Sequence, residues 1–360
     1  MPITKIAASG FSDAVNFRNI IINGDMSIAQ RGTSFTGNTA SNYIVDRFTQ
    51  SINGAMGTWT NGQSTEVPTA QGFSKSLIMD CTTADASPAT ADFVRVQQHI
   101  EGQNLQYLKK GTSSAESLTA SFWVRSNKTG TYIAELEDRD NTRYVSQSYT
   151  ISSADTWEKK TVTFPGDTSG AFTNDNGESL RLNFWLGGGA TWTSGTLGTT
   201  WHTTSANRAV GQVNLADSTS NEWYVTGVQL EAGTSASDFE FLPVDVNLQR
   251  CKRYFQNLAP TGLDNIRMGI GENKTTTISG VYIKFEPEMR ATPSLSSTDA
   301  NTFSLYHSAT DIVASGINFD SKSSKGGNID VTVSSGLLDG GASQFLTAST
   351  STRLDFSSEL

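Results

Sequence analysis

The sequence predicts an all-β protein: a β-sandwich followed by a smaller C-terminal β-domain, the two joined by a short helix. Three observations predict it. Apolar residues are 36% and charged residues 17% of the 360-residue chain, both below the globular average. Thr, a strand former, and Ser, Gly and Asn, which favour turns, fill the difference. From residue 18 to 246, short alternating runs are separated by clusters of Gly, Asn, Asp and Ser, the pattern of a sandwich. Segments 19–25 and 222–231 each read as a short strand and bracket a span that a single all-β domain can cover.

Within that span the clearest strands are 93–100, 118–125, 131–137 and 180–186; 157–164 alternates less cleanly. Residues 101–110, with Leu105 and Leu108 three apart and Gly111 after them, read as one short helix. A second helix is expected at 246–256, where Val246, Cys251, Tyr254 and Phe255 fall on one face and Pro243 precedes. Beyond it, 280–285 alternates Val281, Ile283 and Phe285, and 329–334 and 351–356 supply further strands. Pro287 and Pro293 make 285–295 an edge or extended segment. The division is therefore an arm at 1–17, a sandwich at 18–245, a helical linker at 246–256 and a β-domain at 257–360. The last has a sparse apolar core for its size, and a small unit of that kind gains from neighbours.

Charge and motifs narrow the function. The net charge is −9 and the pI about 4.9, with no Lys/Arg run, which argues against nucleic acid and an anionic membrane surface. A neutral partner, sugar or protein, fits better. Cys81 and Cys251 are expected as two buried thiols rather than a bridge. The N-terminus lacks the apolar core of a signal peptide and no stretch is long enough to span a bilayer; synthesis in a cytoplasm is expected. Only His99, His202 and His307 occur, and no Gly-x-Ser-x-Gly elbow is present. His99 reads as a polar-face residue, His202 and His307 as loop residues. Glu135, Glu137, Asp138 and Asp140 cluster as a glycosidase pair would, but an acidic strand-to-turn run reads first as a solvated edge. Gly187–Gly188–Gly189 lacks the Lys-Ser/Thr of a phosphate loop. No catalytic residue is expected, and the chain is read as a non-enzyme.

Alternation sorts the faces. Run 118–125 puts Leu118, Ala120, Phe122 and Val124 on one side and Thr119, Ser121, Trp123 and Arg125 on the other. Run 180–186 opposes Arg181, Asn183 and Trp185 to its leucines and Phe184; run 93–100 carries Arg95, Gln97 and His99 opposite its valines. An aromatic beside guanidinium and amide groups suits a sugar, whose C–H face stacks while its hydroxyls bond. It equally suits a subunit interface, or plain packing beneath a long loop. The glycine-rich loop 187–202, with Trp192 and Trp201, either shields this face or extends it.

Several segments occur in an order that resembles bacteriophage virion proteins of the tail-fibre or appendage type. They are Asn23-Gly-Asp-Met-Ser-Ile-Ala-Gln-Arg-Gly32, Tyr43-Ile-Val-Asp-Arg-Phe48, Gln97-Gln-His-Ile-Glu101, Ser121-Phe-Trp-Val-Arg-Ser126, Thr156-Trp-Glu-Lys-Lys-Thr-Val-Thr-Phe-Pro165, Gly227-Val-Gln-Leu-Glu231 and Cys251-Lys-Arg-Tyr-Phe255. Pro287-Glu-Met-Arg-Ala-Thr-Pro-Ser-Leu295 and Asp355-Phe-Ser-Ser-Glu-Leu360 resemble the end domain of the same proteins. The resemblance implies that the large domain is a jelly roll similar to carbohydrate-binding modules, with 19–25 and 222–231 as its first and last strands. It implies a non-enzymatic, homotrimeric virion protein, assembled in the host cytoplasm. Its arm would meet other virion proteins, and it would contact host-surface glycans. A head decoration or tail assembly protein without sugar binding is the alternative. A polysaccharide-degrading tail enzyme is a further one, although the long β-helix repeats of such enzymes are missing. Sugar-binding modules commonly place an Asp pair on the last strand to hold calcium. Here those positions are Thr226 and Gly227, leaving Asp25 and Glu231 as calcium candidates.

Overall fold

The computed structural model describes residues 17–259 and 262–360; of the expected arm at 1–17, all but Phe17 lies outside the described residues. Two compact units are present, one running to Val244 and including Leu360, the other Asp245–Glu359.

The first unit is a jelly-roll β-sandwich. Its strands are β1 (Ser34–Asn38), β2 (Asn42–Val45), β3 (Phe48–Asn53), β4 (Thr58–Ser64), β5 (Ser76–Thr83), β6 (Phe93–Glu101), β7 (Leu118–Ser126), β8 (Gly130–Asp138), β9 (Arg143–Ile151), β10 (Glu158–Phe164), β11 (Glu178–Gly188) and β12 (Glu222–Ala232). They form two six-stranded sheets, β1-β4-β5-β12-β7-β10 and β2-β3-β6-β11-β8-β9, antiparallel throughout. The apolar halves of the alternating runs face one another and form the core. Phe122 of β7 meets Phe184 of β11 at 4.9 Å between ring centroids and Tyr149 of β9 at 5.0 Å, and Phe184 also packs on Trp223 of β12. Leu77, Val96, Val124, Leu182 and Leu230 are fully buried around them.

Three expectations are corrected. Segment 19–25 is not a strand but a turn-rich stretch. It follows β12 through two backbone hydrogen bonds, Ile20 N to Leu230 O and Val228 N to Gly24 O. Side-chain amides supply others: Asn19 accepts from the Leu230 and Ile21 amides and donates to Val228 O, while Gln98 both accepts from and donates to Ile22. Left-handed Asn23 and Met26 break the extended geometry. Residues 101–110 form two 3₁₀ turns, Gly102–Asn104 and Gln106–Leu108. A stretch this short does not repay helix nucleation, yet Leu105 and Leu108 still reach the core. The second helix lies at Val244–Lys252, and Phe255 begins a strand instead of extending it. A further short helix, α1 (Ala190–Thr193), sits in the glycine-rich loop; Val244–Lys252 is α2.

The second unit contains β13 (Phe255–Asn257), β14 (Arg267–Asn273), β15 (Ile278–Lys284), β16 (Ser294–Ser297), β17 (Phe303–His307), β18 (Thr310–Ser323), β19 (Gly326–Val333), β20 (Ala342–Thr347) and β21 (Leu354–Ser357). Six of them close a barrel in the order β14-β15-β19-β18-β17-β20, and β13-β21-β16 form a separate small sheet. Closure removes free edges. It gives the unit a core of its own despite few apolar residues, with Val281, Phe303, Ile329, Val331 and Phe345 fully buried. Pro293 precedes edge strand β16, as its missing donor requires. Cys81 and Cys251 are both buried thiols outside any disulfide. No helix among the described residues is long and apolar enough to cross a membrane.

Phe122 is one of the rings through which the two sheets meet. Phe122→Ala is expected to cost about 3–5 kcal/mol, read as a lower denaturation midpoint with an unchanged slope; a loss below about 1 kcal/mol would contradict this account of the core.

Candidate functional site

The polar faces of the alternating runs do not combine. Strand β7 belongs to the first sheet, β6 and β11 to the second. Because their apolar sides point at each other, Trp123 and Arg125 emerge on one side of the sandwich, and Arg95, Gln97, Arg181, Asn183 and Trp185 on the other. The expectation of one continuous mixed face is thereby corrected.

The second-sheet face is covered over β8 and β11. Trp185 is fully buried, beneath Trp192 of α1 and against Phe93, at centroid distances of 5.8 and 5.9 Å. The Trp192 indole donates to Ala91 O, which pins the loop. Arg208, from the same connection, descends onto β8. Its guanidinium donates to Glu135 at 2.6 and 2.8 Å and to Glu137 at 2.8 Å, and stacks on Tyr144 at 3.9 Å. Asn183 donates to both carboxylates, and Arg95 reaches Glu137 at 3.2 Å. Register places Asn183 opposite both Gln97 and Glu135, and Trp185 opposite Arg95, so the network spans three adjacent strands. Glu135, Glu137 and Asp138 are thus buried, not a solvated edge; only Asp140 is exposed. Lys110 neutralises Asp138. Burial opposes ionisation of Glu137, but Arg95, Arg208, Arg181 and Arg139 outweigh it and hold the carboxyl far below its ordinary range.

At the margin of this network, Glu178 accepts from Arg181 at 2.8 and 2.9 Å, and His99 Nδ1 lies 2.8 Å from its carboxylate. Burial works against its charge, yet these partners lower its pKa to about 2. Burial also lowers the pKa of His99. His202, in the loop, forms a backbone bridge to Tyr144 of β9. His307, expected in a loop, instead ends β17 as a buried side chain, where Nε2 accepts from the Leu338 amide. Trp201 donates to Pro165 O and lies over Lys110.

The first-sheet face is open. A groove of about 280 Å³ is lined by Gln71, Phe73, Ser121, Trp123, Lys159, Gly227, Asp238, Phe239 and Phe241. Trp123 lies half-buried on the strand surface, between Thr226 of β12 and Lys159 of β10 in register. Phe73, Phe239 and Phe241 form a mutually packed trio, with centroids 4.8 to 5.1 Å apart, and Phe241 is half exposed. The trio is seated by Gly227, which has φ +62° in a bulge of β12; a Cβ there would lie 2.5 Å from the Phe73 ring. Arg125 is on the same face but committed elsewhere, paired to Glu222 and Asp155 and lying over Tyr224. Sequence reasoning found Trp123 by alternation but missed Phe73, Phe239 and Phe241. The alternation Asp238-Phe-Glu-Phe241 after a Gly/Ser turn was the available signal.

Asp25 and Glu231 do not form a pair. The N-terminal segment runs antiparallel to β12, so Asp25 lies at Thr226, whose hydroxyl donates to Asp25 O. Glu231 lies five residues further along, about 15 Å away at strand rise. Its carboxylate caps the following turn, accepting from Ser237 N, Ser237 Oγ and Gln229. No group of three or more His, Cys, Asp or Glu side chains able to hold a metal occurs among the described residues.

Two outcomes follow. Arg208→Ala strands two buried carboxylates and is expected to destabilise the chain by about 3–5 kcal/mol in denaturant unfolding. Because Glu178 is more acidic folded than unfolded, its contribution is complete above about pH 4.3 and is lost as pH falls through about 2. Melting temperature should therefore fall over that window, and Glu178→Gln should flatten the fall; an equally steep profile in the variant would refute the assignment.

No protein-family model and no curated protein matches the chain. Among solved structures it is similar to carbohydrate-binding modules and to a phage tailspike domain. The enzymatically active domain of tailspike protein 4 of bacteriophage CBA120 is 16% identical, TM-score 0.32, over 60% of this chain and 21% of that one. TmCBM61 in complex with β-1,4-galactotriose is 9% identical, TM-score 0.31, over 60% and 99%. A putative sugar binding protein from Bacteroides thetaiotaomicron is 11% identical, TM-score 0.31, over 59% and 99%. The matched part is about a fifth of the tailspike chain, and at these scores the likeness assigns no family.

Proposed function

We propose that this protein is a non-enzymatic bacteriophage virion protein, a homotrimeric tail fibre or receptor-binding appendage that contacts host-surface glycans through the groove at Trp123. The open groove carries the glycan contact. It offers an aromatic plane for the C–H face of a pyranose, with an amide (Gln71), a hydroxyl (Ser121), an ammonium (Lys159) and a carboxylate (Asp238) for its hydroxyls. The ordered segments that resemble virion proteins support the place in the particle. The second-sheet carboxylates are tied to arginines, which supports binding rather than hydrolysis.

The aromatic trio supports a second reading, in which the groove is an assembly surface between virion proteins. Phe239 and Phe241 would then be buried as anchors. Host envelope polysaccharide separates the two. Trp123→Ala is expected to weaken binding at least about ten-fold, roughly 1.4 kcal/mol, without lowering the melting temperature. Unchanged adsorption by a folded variant would leave the assembly reading.

A further inference from the structure

We infer that the groove at Trp123 takes a carboxylated sugar, a conclusion that rests on the glycan reading above. Four of the six lysines described in the first unit are held by carboxylates: Lys109 by Glu116, Lys110 by Asp138 and Asp167, Lys128 by Asp217 and Lys160 by Glu158. Lys75 and Lys159 are not, and of these two Lys159 lines the groove.

Alternation along β10 explains why. Glu158 and Lys160 share one side and pair there, and Glu158 also accepts from the Ser152 and Ser153 amides. Lys159 points the other way, directly opposite Trp123 in the β7–β10 register. The other cation on this face, Arg125, is held by Glu222 and Asp155. An aromatic plane with an uncommitted ammonium beside it matches a pyranose that stacks through its C–H face and carries a carboxylate at its rim. Asp238, the groove's own carboxylate, repels that group and accepts from ring hydroxyls instead. The ligand is thereby oriented with its acid toward β10 and its hydroxyls toward Asp238.

The test compares immobilised polygalacturonate, alginate and polysialic acid with the same polymers after carboxyl reduction. It uses the full chain, Lys159→Gln, Trp123→Ala and the charge-matched control Lys325→Gln in the second unit, each checked by melting temperature. The wild type should favour at least one acidic polymer over its reduced form by about ten-fold or more, the scale of one charge-assisted bond. Lys159→Gln should lose that preference and Lys325→Gln keep it. Equal binding of both forms, or equal effects of the two lysine variants, would overturn the carboxylate inference while leaving the glycan reading standing. Absence of binding to every polymer, or indifference to Trp123→Ala, would overturn both.

Discussion

A two-sheet sandwich has one interior, and everything else in the first unit depends on that constraint. Side chains alternate along a strand, so once Phe122, Phe184 and Trp223 meet in the middle each strand's remaining side chains must point outward. Strands of opposite sheets then present those side chains to opposite sides of the molecule. Two surfaces result, and they have different chemistry because different connections cross them. The long connection after β11 folds back over the second sheet and covers it at β8 and β11. The first sheet is left open beside the connections that carry Phe73 and Phe239.

Closing the second sheet required charges to be buried together. Arg208 arrives from the covering loop and meets two carboxylates on β8, with Arg95 and Asn183 completing their coordination from β6 and β11. Buried ion pairs contribute little net stability, because desolvation offsets attraction, but removing one partner is costly. Their effect here is positional. The loop can dock only where its guanidinium meets both carboxylates, and Trp192 follows to cap Trp185. That makes the part of the second face beneath the loop a fixed support.

The strands were largely legible in the sequence, since β6, β7, β8 and β11 each match an alternating run to within two residues at either end. What alternation cannot supply is which sheet a strand joins, and so Trp123 and Trp185 read as one face although they lie on two. The burial of Glu135 and Glu137 was equally hidden. Its cause, Arg208, is a single residue in a loop more than seventy positions away, with no local periodicity to mark it. Segment 19–25 misled for a related reason. Its apolar run resembles a strand, but Asn19 and Gln98 satisfy its backbone through side chains, and two left-handed residues end any ladder. The barrel of the second unit escaped notice because closure is a property of pairing order, not of any one strand.

The open groove combines both kinds of information. Trp123 and Lys159 stand on adjacent strands whose register fixes their spacing, so that half of the site moves only with the sheet. Phe239 and Phe241 come from a connection and are held by packing on Phe73, which itself depends on the absent side chain of Gly227. The groove therefore joins an aromatic plane fixed by strand register to an aromatic trio fixed by packing on Phe73. The same division explains why the groove stays free of the buried ion pairs behind it. Of its polar groups, Gln71, Lys159 and Asp238 are exposed and Ser121 is buried.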